Sequence, residues 1–406
     1  MKKIIATSAA LLMAGSCFVA NNAFAEDETG VTISGDSRVR LRYLDNVYFG
    51  NFNNGYNYDK WDSRVRLKFK GQAAGGAYVT ARIRLVDTDF NGGPDASNDY
   101  NVWSDYGYLG IPFSDNFKIE AGKYRVNYGN LFLLEDIGMS GIRGFYTTDT
   151  LEIIPFWEIM KEGHDGNAYD YMEDNDTERF GTALTVKMDN WSAGFIAGYQ
   201  SDDTTSEELY ILADGSIWGL YTDNENEGFF GSVYANADLG MFALDTEIAY
   251  VEEGLTDWNK TEDDSWGGYV KGTYKMDALS IALDIAMTQD GFMPDAIYGY
   301  QMMGVDEPTT VVNVGEGGDW LIMGVRTNYA VSEALALTGN LAYATVDAEA
   351  DNADVDFFEI SGVMAYNISK GATFSWYAGY LMPDFDDSTL EDDGAFATYG
   401  KFEVSF

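Results

Sequence analysis

The sequence predicts an all-β chain that closes into a transmembrane, antiparallel up-and-down barrel of about sixteen strands. Three observations predict this fold. Segments of roughly ten residues in which apolar and polar side chains alternate recur along the whole chain. The connections between these segments are alternately short and long. The last segment runs to the end of the chain, with Phe402, Val404 and Phe406 on its apolar face. Strands of this kind present one face to lipid and the other to a lumen.

The first residues have the features of an export signal. Two lysines, an apolar run and the small-residue pattern Ala23-Phe24-Ala25 are typical of a secretory signal peptide. We expect cleavage after Ala25, so that residues 1–25 are the signal peptide and residues 26–406 are the outer-membrane β-barrel. Cys17 is the only cysteine and lies in the signal, so the mature chain has no internal disulfide. Residues 14–17 weakly resemble a lipoprotein box, which leaves lipidation of Cys17 as an alternative.

The composition excludes several classes of protein. The formal net charge is −41, and loss of the two lysines with the signal peptide takes it to −43. A hydrophobic content of 46% and an aromatic content of 15% argue against a disordered acidic chain. The charge argues against a nucleic-acid partner, which requires a basic face. A soluble β-sandwich is disfavoured, because the face away from the aliphatic residues carries arginines on neighbouring strands.

The lengths of the connections predict which end of the barrel faces the periplasm and which faces the outside of the cell. Tight turns lie at residues 71–76, 112–116, 189–190, 238–240, 276–278 and 367–371. Long acidic connections lie at residues 45–60, 87–101, 201–227, 252–264, 290–318, 347–354 and 383–394. In bacterial barrels the short turns face the periplasm and the long loops face the outside of the cell. Tyrosines and tryptophans near the segment ends would form the interfacial girdles. Totals of about fourteen or eighteen strands also stay open, because residues 201–251 are hard to divide.

One face of three successive predicted strands is basic. Apolar residues such as Val39, Leu67 and Ile83 alternate with the basic ones, which therefore share the opposite face. Cations that faced lipid at the membrane midplane would cost roughly 2–4 kcal/mol each, so we expect this face to line the lumen. The residues of this basic wall are Arg38, Arg40, Arg42, Arg64, Arg66, Lys68, Lys70, Arg82 and Arg84. They could line a pore, pair structurally with Asp36, Asp62 and loop acids, or do both.

Several segments resemble one protein family. Residues 31–35 and 63–71 resemble the first and second strands of the general porins of Gram-negative outer membranes, which are trimeric barrels of about sixteen strands. Residues 106–111 and 117–123 resemble the fourth and fifth strands of that family. The final strand, which ends in Phe406, resembles the signal by which the barrel-assembly machinery recognises such proteins.

The resemblance implies a passive diffusion channel for small hydrophilic solutes and ions. It implies a homotrimer in contact with outer-membrane lipid and lipopolysaccharide. It also implies that a long third external loop follows the fifth strand, folds inward and narrows the pore; here that loop corresponds to residues 125–178. The acids of this loop are Glu135, Asp136, Asp149, Glu152, Glu158 and Glu162. Opposite the basic wall they would create a transverse field, and we expect weak ion selectivity that leans to cations.

Other interpretations are less well supported. A non-conducting surface barrel that acts as an adhesin or structural anchor is the alternative to a porin. A barrel enzyme would have to use His164, the single histidine, so we expect neither catalysis nor a histidine-cluster metal site. No cofactor is expected. Acidic clusters at residues 173–176, 262–264 and 384–387 could bind Ca²⁺ or Mg²⁺, or bridge these cations to lipopolysaccharide phosphates.

Overall fold

A computed structural model gives the fold of most of the chain. It describes residues 29–46, 57–90, 102–161, 176–202, 205–211, 217–223, 226–253, 255, 263–295, 298–305, 308–348, 354–386 and 392–406. The predicted signal peptide, Glu162 and His164 lie outside these residues, and the expectations about them stay predictions. Within the described ranges, no helix is long and apolar enough to cross a membrane.

The described secondary structure consists of β-strands. In chain order they are β1 Gly30–Asp45, β2 Tyr58–Gln72, β3 Tyr78–Asp89, β4 Trp103–Ser114, β5 Phe117–Tyr128, β6 Leu134–Thr147, β7 Leu151–Lys161, β8 Thr177–Lys187, β9 Trp191–Asp202, β10 Thr205–Ile211, β11 Ile217–Asp223, β12 Gly228–Asp238, β13 Phe242–Val251, β14 Ser265–Met276, β15 Leu279–Gln289, β16 Met303–Gly304, β17 Val312–Asn313, β18 Gly318–Ala330, β19 Leu335–Ala348, β20 Val355–Ser369, β21 Ala372–Phe385 and β22 Ala395–Ser405.

Eighteen of these strands form one closed antiparallel sheet. Each strand of the barrel pairs with its neighbours along the chain, and β22 pairs with β1 to close the ring. β10 and β11 form a separate hairpin between β9 and β12, and β16 and β17 form a short parallel pair between β15 and β18. Closure removes the free sheet edges that a membrane does not tolerate. The transmembrane barrel is therefore confirmed, with eighteen strands rather than about sixteen.

The alternation of the sequence separates an apolar outer face from the inner face. On β1 and β3, Val31, Ile33 and Val79 leave 74%, 59% and 56% of their surface exposed. Because neighbouring residues of a strand point to opposite faces, the basic residues between such side chains point inward. The six predicted tight turns all connect strands at the end of the barrel where β1 begins and β22 ends. The predicted grouping of short turns at one end and long connections at the other is thereby confirmed, and the assignment of these ends to the periplasm and the outside of the cell stays a prediction.

Residues 124–139 leave the wall and fold into the lumen as a hairpin. β5 pairs with β4 only up to Lys123, and β6 pairs with β7 only from Ser140 onward. Between these points β5 and β6 pair with each other alone. We call residues 124–139 the inward hairpin; its tip contains Phe132 and Leu133, both fully buried. The third external loop does fold inward, but it is a short hairpin and not the long loop expected over residues 125–178.

A second part of the chain also folds inward. In the connection between β15 and β18, Phe292, Tyr300, Met302 and Met303 leave at most 2% of their surface exposed. The sequence predicted residues 290–318 to be a long connection on the external side; the connection does lie at the long-loop end of the barrel, but its described residues fold inward, which was not expected. Buried apolar side chains of this kind stabilise a packed position, whereas an external loop would expose them to water. We call the described residues of this connection, 290–295, 298–305 and 308–317, the second inward segment.

The apolar core lies inside the barrel. The face of the inward hairpin that carries Tyr124, Val126 and Tyr128 packs against lumen-facing apolar residues of β7, β8, β9 and β12. Tyr128 stacks on Phe156 of β7, with ring centroids 5.2 Å apart. Protein therefore fills this sector of the lumen, and the open part lies between the other face of the hairpin and the basic wall.

Candidate functional site: a basic wall opposite an inward hairpin

The structure places all nine predicted basic-wall residues on β1, β2 and β3. The register brings Arg38 directly opposite Arg64, and Arg66 lies between Asp36 of β1 and Arg84 of β3. Like charges at opposed positions of a sheet repel each other and are destabilising without counter-charges. The arrangement therefore requires acids within the wall itself.

Two of these acids are the ones predicted from the sequence. Asp62 accepts a hydrogen bond from Arg40 Nε at 2.9 Å and lies 3.3 Å from Arg42 Nη2. Asp36 accepts a hydrogen bond from Arg66 Nε at 3.0 Å, and Arg64 Nη2 lies 3.4 Å away. These pairs hold β1 and β2 together across their lumen face. The basic wall thus has the structural role that was left open in the sequence analysis.

A third wall acid, Asp105 on β4, was not identified from the sequence. Its carboxylate forms ion pairs with Arg82, with Arg84 at 3.0 Å and with Arg125 at 2.7 Å. The guanidinium group of Arg66 lies 4.0 Å away. Asp105 is only 3% exposed. Four guanidinium groups therefore share Asp105, and three of them also lie near a second acid: Arg66 near Asp36, Arg84 near Asp87 and Arg125 near Asp136. Arginines nevertheless outnumber the carboxylates that pair with them along β1, β2 and β3. The only sequence signal was its position at the start of a strand next to a basic one.

Arg38 lacks the ion pair that its neighbours have. Over the part of the chain that the structure describes, no carboxylate lies within 4.0 Å of its guanidinium group, and its Nε has no hydrogen-bond partner. Arg64, directly opposite, has only the 3.4 Å contact to Asp36. This pair has the weakest ion pairing of the arginines on β1 and β2. Its Nε atoms are buried, so its positive charge, rather than these donors, would attract an anion in the lumen.

The inward hairpin faces the basic wall with one exposed acid. Asp136 leaves 61% of its side chain exposed, and its Oδ2 lies 3.6 Å from Arg125 Nη1. A cavity of about 180 Å³ lies between the hairpin and the wall. Its lining residues are Arg82, Tyr106, Tyr108, Arg125, Asp136 and Arg143. Asp136 is the only carboxylate among these lining residues, while Arg143 is paired with Glu120 at 2.8 Å and Arg82 and Arg125 are paired with Asp105, so the arginines of this lining are largely neutralised from behind.

The structure brings together only some of the predicted constriction acids. Glu135 and Asp136 lie on the inward hairpin, as expected. Asp149 and Glu152 lie instead at the short-turn end of the barrel, where Glu152 pairs with Lys187 at 3.0 Å. Glu158 is on the wall strand β7 behind the hairpin, only 2% exposed, and accepts hydrogen bonds from two tyrosine hydroxyls. Glu162 lies outside the described residues.

The prediction of a constriction lined by six acids is therefore wrong for three of them, because most of residues 140–161 is barrel wall. Of the predicted cation sites in acidic loops, residues 173–175, 262 and 387 lie outside the described residues, and these sites stay predictions. Among the residues that are described, no group of three or more His, Cys, Asp or Glu side chains could hold a metal ion.

Solved structures with this fold are bacterial outer-membrane proteins. The chain is similar to OpdQ of Pseudomonas aeruginosa, with a TM-score of 0.58 and 11% identity over 93% of this chain and 97% of that chain. OprD of the same organism gives a TM-score of 0.57 and 11% identity over 94% and 96% of the two chains. OccAB1 of Acinetobacter baumannii gives 0.54 and 12% over 92% and 97%. At these identities the likeness shows the fold alone.

The sequence itself gives the family. A search of curated proteins found no match to the chain. The sequence model of the Gram-negative porin family, in contrast, matches residues 6–349, which include the basic wall, the inward hairpin and the second inward segment. The chain belongs to the family of Gram-negative porins and is a passive diffusion channel of the outer membrane.

Proposed function

We propose that solutes cross this porin through the gap between the basic wall and the inward hairpin, and that the gap favours small hydrophilic anions. The observation that carries this proposal is the sharing of Asp105 by four arginines, beside an Arg38 that has no carboxylate partner within the described wall. A lumen lined by one sign of charge raises the local concentration of solutes of the opposite sign. Rings or rows of basic side chains select anions in pores.

This proposal replaces the lean to cations expected from the sequence. That expectation required six acids in the constriction, opposite the basic wall. On the inward hairpin only Asp136 has a clearly exposed carboxylate, and three of the other acids lie elsewhere. Charges at the outer mouth are largely screened beyond about 8 Å at physiological salt, so the nearer basic wall has the greater influence.

The same geometry favours a channel over the alternative of a closed surface barrel. An adhesin or anchor would have no need for unneutralised arginines on the inner face, where their desolvation is costly without water. The proposed solutes include no macromolecule, because the inward hairpin and the second inward segment occupy a large part of the lumen. The channel needs no catalytic step, and we propose that the protein is not an enzyme.

We also propose that the porin is a homotrimer, as the resemblance to general porins implies. The support is the apolar outer face, which includes exposed Val233, Ile248 and Val270 on the successive strands β12, β13 and β14. Electrophoresis in SDS without heating tests this proposal. A band at three times the monomer mass that disappears on heating is expected, and a monomer band alone in mild detergent as well as in SDS would contradict it.

Planar-bilayer recording tests the channel and its ion preference separately. Purified, refolded protein should insert in steps of equal conductance. In a KCl gradient the zero-current potential should have the same sign as the equilibrium potential of chloride. Its magnitude should fall as the salt concentration is raised, because salt screens the basic wall. Silence over a range of salts and voltages would contradict the channel, whereas steps with a potassium-type potential would contradict only the preference for anions.

A further inference from the structure

Two buried glutamates accept hydrogen bonds from backbone N–H groups of the two inward elements, which are the inward hairpin and the second inward segment. Glu247 on β13 accepts the backbone N–H of Asn130 at 3.0 Å and of Phe132 at 3.1 Å, both at the tip of the inward hairpin. Its other oxygen accepts the Ser232 hydroxyl at 2.6 Å. Glu247 has no exposed surface. The tip of the hairpin is therefore fixed to a wall strand far around the barrel from β5, where the hairpin begins.

Glu359 on β20 has the same relation to the second inward segment. One carboxylate oxygen accepts the N–H groups of Met302 and Met303, each at 2.9 Å, and the other accepts the N–H of Gln301 at 2.9 Å. Glu359 is also completely buried. Three successive amides that converge on one acceptor form an anion-binding concavity of the backbone.

Neither glutamate has a basic partner in the described part of the barrel. The groups that stabilise Glu359 are these amides and the Ser361 hydroxyl. A buried carboxylate without hydrogen bonds is strongly unfavourable, so each glutamate and the backbone it binds need one another. The second inward segment also contacts Asp284 of β15, which accepts hydrogen bonds from two tyrosine hydroxyls and from Arg326. Asp284 therefore has a basic partner, unlike Glu247 and Glu359.

The two inward elements also contact each other. The rings of Phe132 and Phe292 stack with centroids 5.6 Å apart, and Phe132 meets Tyr298 edge to face at 5.5 Å. The N–H of Asp295 donates to the carbonyl of Phe132 at 2.8 Å, and the Asp295 carboxylate accepts the N–H of Glu135 at 2.6 Å. A displacement of one element would therefore disturb the other.

We infer that Glu247 and Glu359 are positioning residues that set the open cross-section of the channel by holding these two elements across the lumen. This inference rests on the proposed function as a channel. The barrel itself closes through its strand pairing, which includes neither set of contacts. Loss of a glutamate should therefore release an inward element and leave the barrel folded.

Glu247→Ala, Glu359→Ala and the double variant test this inference in planar bilayers and in liposomes loaded for swelling assays. We expect each single variant to give larger and noisier conductance steps, and the double variant to exceed the wild type by roughly two-fold, since pore diameter limits permeation. Larger sugars should enter liposomes faster. The shared contacts at Phe132 predict that the two effects are not additive.

Glu178→Ala is the matched control. Glu178 lies on β8 and accepts the indole N–H of the lipid-facing Trp157 at 3.1 Å, away from both inward elements. Its conductance should equal that of the wild type. Heat-dependent migration in SDS reports whether each barrel is folded. Should the alanine variants not fold, Glu247→Gln and Glu359→Gln, which keep one acceptor oxygen, should show intermediate conductance.

Folded variants, alanine or glutamine, with wild-type conductance and wild-type sugar exclusion would overturn the inference while leaving the channel function intact. A wild-type protein that does not conduct would instead contradict the proposed function. Rescue also discriminates: a glutamine variant closer to the wild type than the alanine variant indicates that the acceptor oxygen holds the element.

Discussion

Gly35 and Phe406 join the first and last strands of the barrel by a reciprocal pair of backbone hydrogen bonds. The N–H of Gly35 donates to the carbonyl of Phe406 at 2.9 Å, and the N–H of Phe406 donates to the carbonyl of Gly35 at 3.0 Å. A Cβ atom at position 35 would lie 2.6 Å from the carbonyl oxygen of Arg66 and 2.7 Å from the Phe406 ring. The terminal ring therefore requires a glycine on β1.

We predict that Gly35→Ala and deletion of Phe406 both impair assembly of the barrel. The added methyl group would displace the terminal ring or the backbone of β2, at a cost of about 1–3 kcal/mol that is typical of overpacking. The measurement is the amount of heat-modifiable protein in the outer membrane. Gly272→Ala is the control, because a Cβ at Gly272 meets nothing within 4 Å. Equal amounts of the Gly35 and Gly272 variants would refute the prediction.

The second prediction separates the two roles of the basic wall. Arg38→Gln should move the zero-current potential toward cations without lowering the melting temperature, because Arg38 has no carboxylate partner in the described wall and lies opposite Arg64. Arg66→Gln should move the potential and also lower the melting temperature, because it leaves Asp36 without its 3.0 Å hydrogen bond. The combined change of Arg38, Arg40, Arg64 and Arg66 should show the largest shift toward cations. An unchanged potential in Arg38→Gln would mean that this residue does not face the permeation path.

The third prediction concerns the acid shared by four arginines. Asp105→Asn keeps the size of the side chain and removes its charge, so Arg82 would lose its carboxylate partner and repulsion among the four arginines would increase. We expect a loss of roughly 1–3 kcal/mol in stability, as when buried polar groups lose a partner. The preference for anions should increase. Thermal unfolding and the zero-current potential measure the two effects, with the exposed turn residue in Asp115→Asn as the control.

The missed strands β6 and β7 show what alternation can and cannot predict. Alternation depends on a polar lumen on one side and lipid on the other. On β7 the lumen-facing Ile154 and Phe156 pack against the inward hairpin, while Trp157 faces outward, so both faces are apolar. On β6 several glycines weaken the pattern further. The strand count was too low because the lumen next to these strands is filled with protein.

The basic wall was predictable because its environment is simple. Nine cations on one face of three strands would be destabilising against lipid, so this face has to line the lumen, and the structure places it there. Asp36 and Asp62 were predicted because they lie on the basic strands themselves, whereas Asp105, Glu247 and Glu359 lie on other strands and reach their partners only through the closed, filled barrel. The second inward segment had a local signal that was not used: Tyr298, Tyr300, Met302 and Met303 are too apolar for an external loop.

The last prediction tests which acid faces the permeation path. Asp136 lies on the channel side of the inward hairpin with a positive φ of 48°, a conformation that asparagine also tolerates. Asp136→Asn should therefore fold normally and move the zero-current potential further toward anions, and Asp136→Lys should move it more. Asp149 was predicted from the sequence to lie in the same constriction, but the structure places it in an exposed turn at the other end of β6.

Asp149→Asn and Asp149→Lys are consequently the matched controls, and they should leave the potential unchanged. Charge at the short-turn mouth is screened more strongly than charge in the narrow gap, so the difference should grow as the KCl concentration is lowered. Equal shifts for the two positions at every salt concentration would mean that the inward hairpin does not narrow the conducting path. A shift for Asp149 alone would place the selective region at the short-turn mouth.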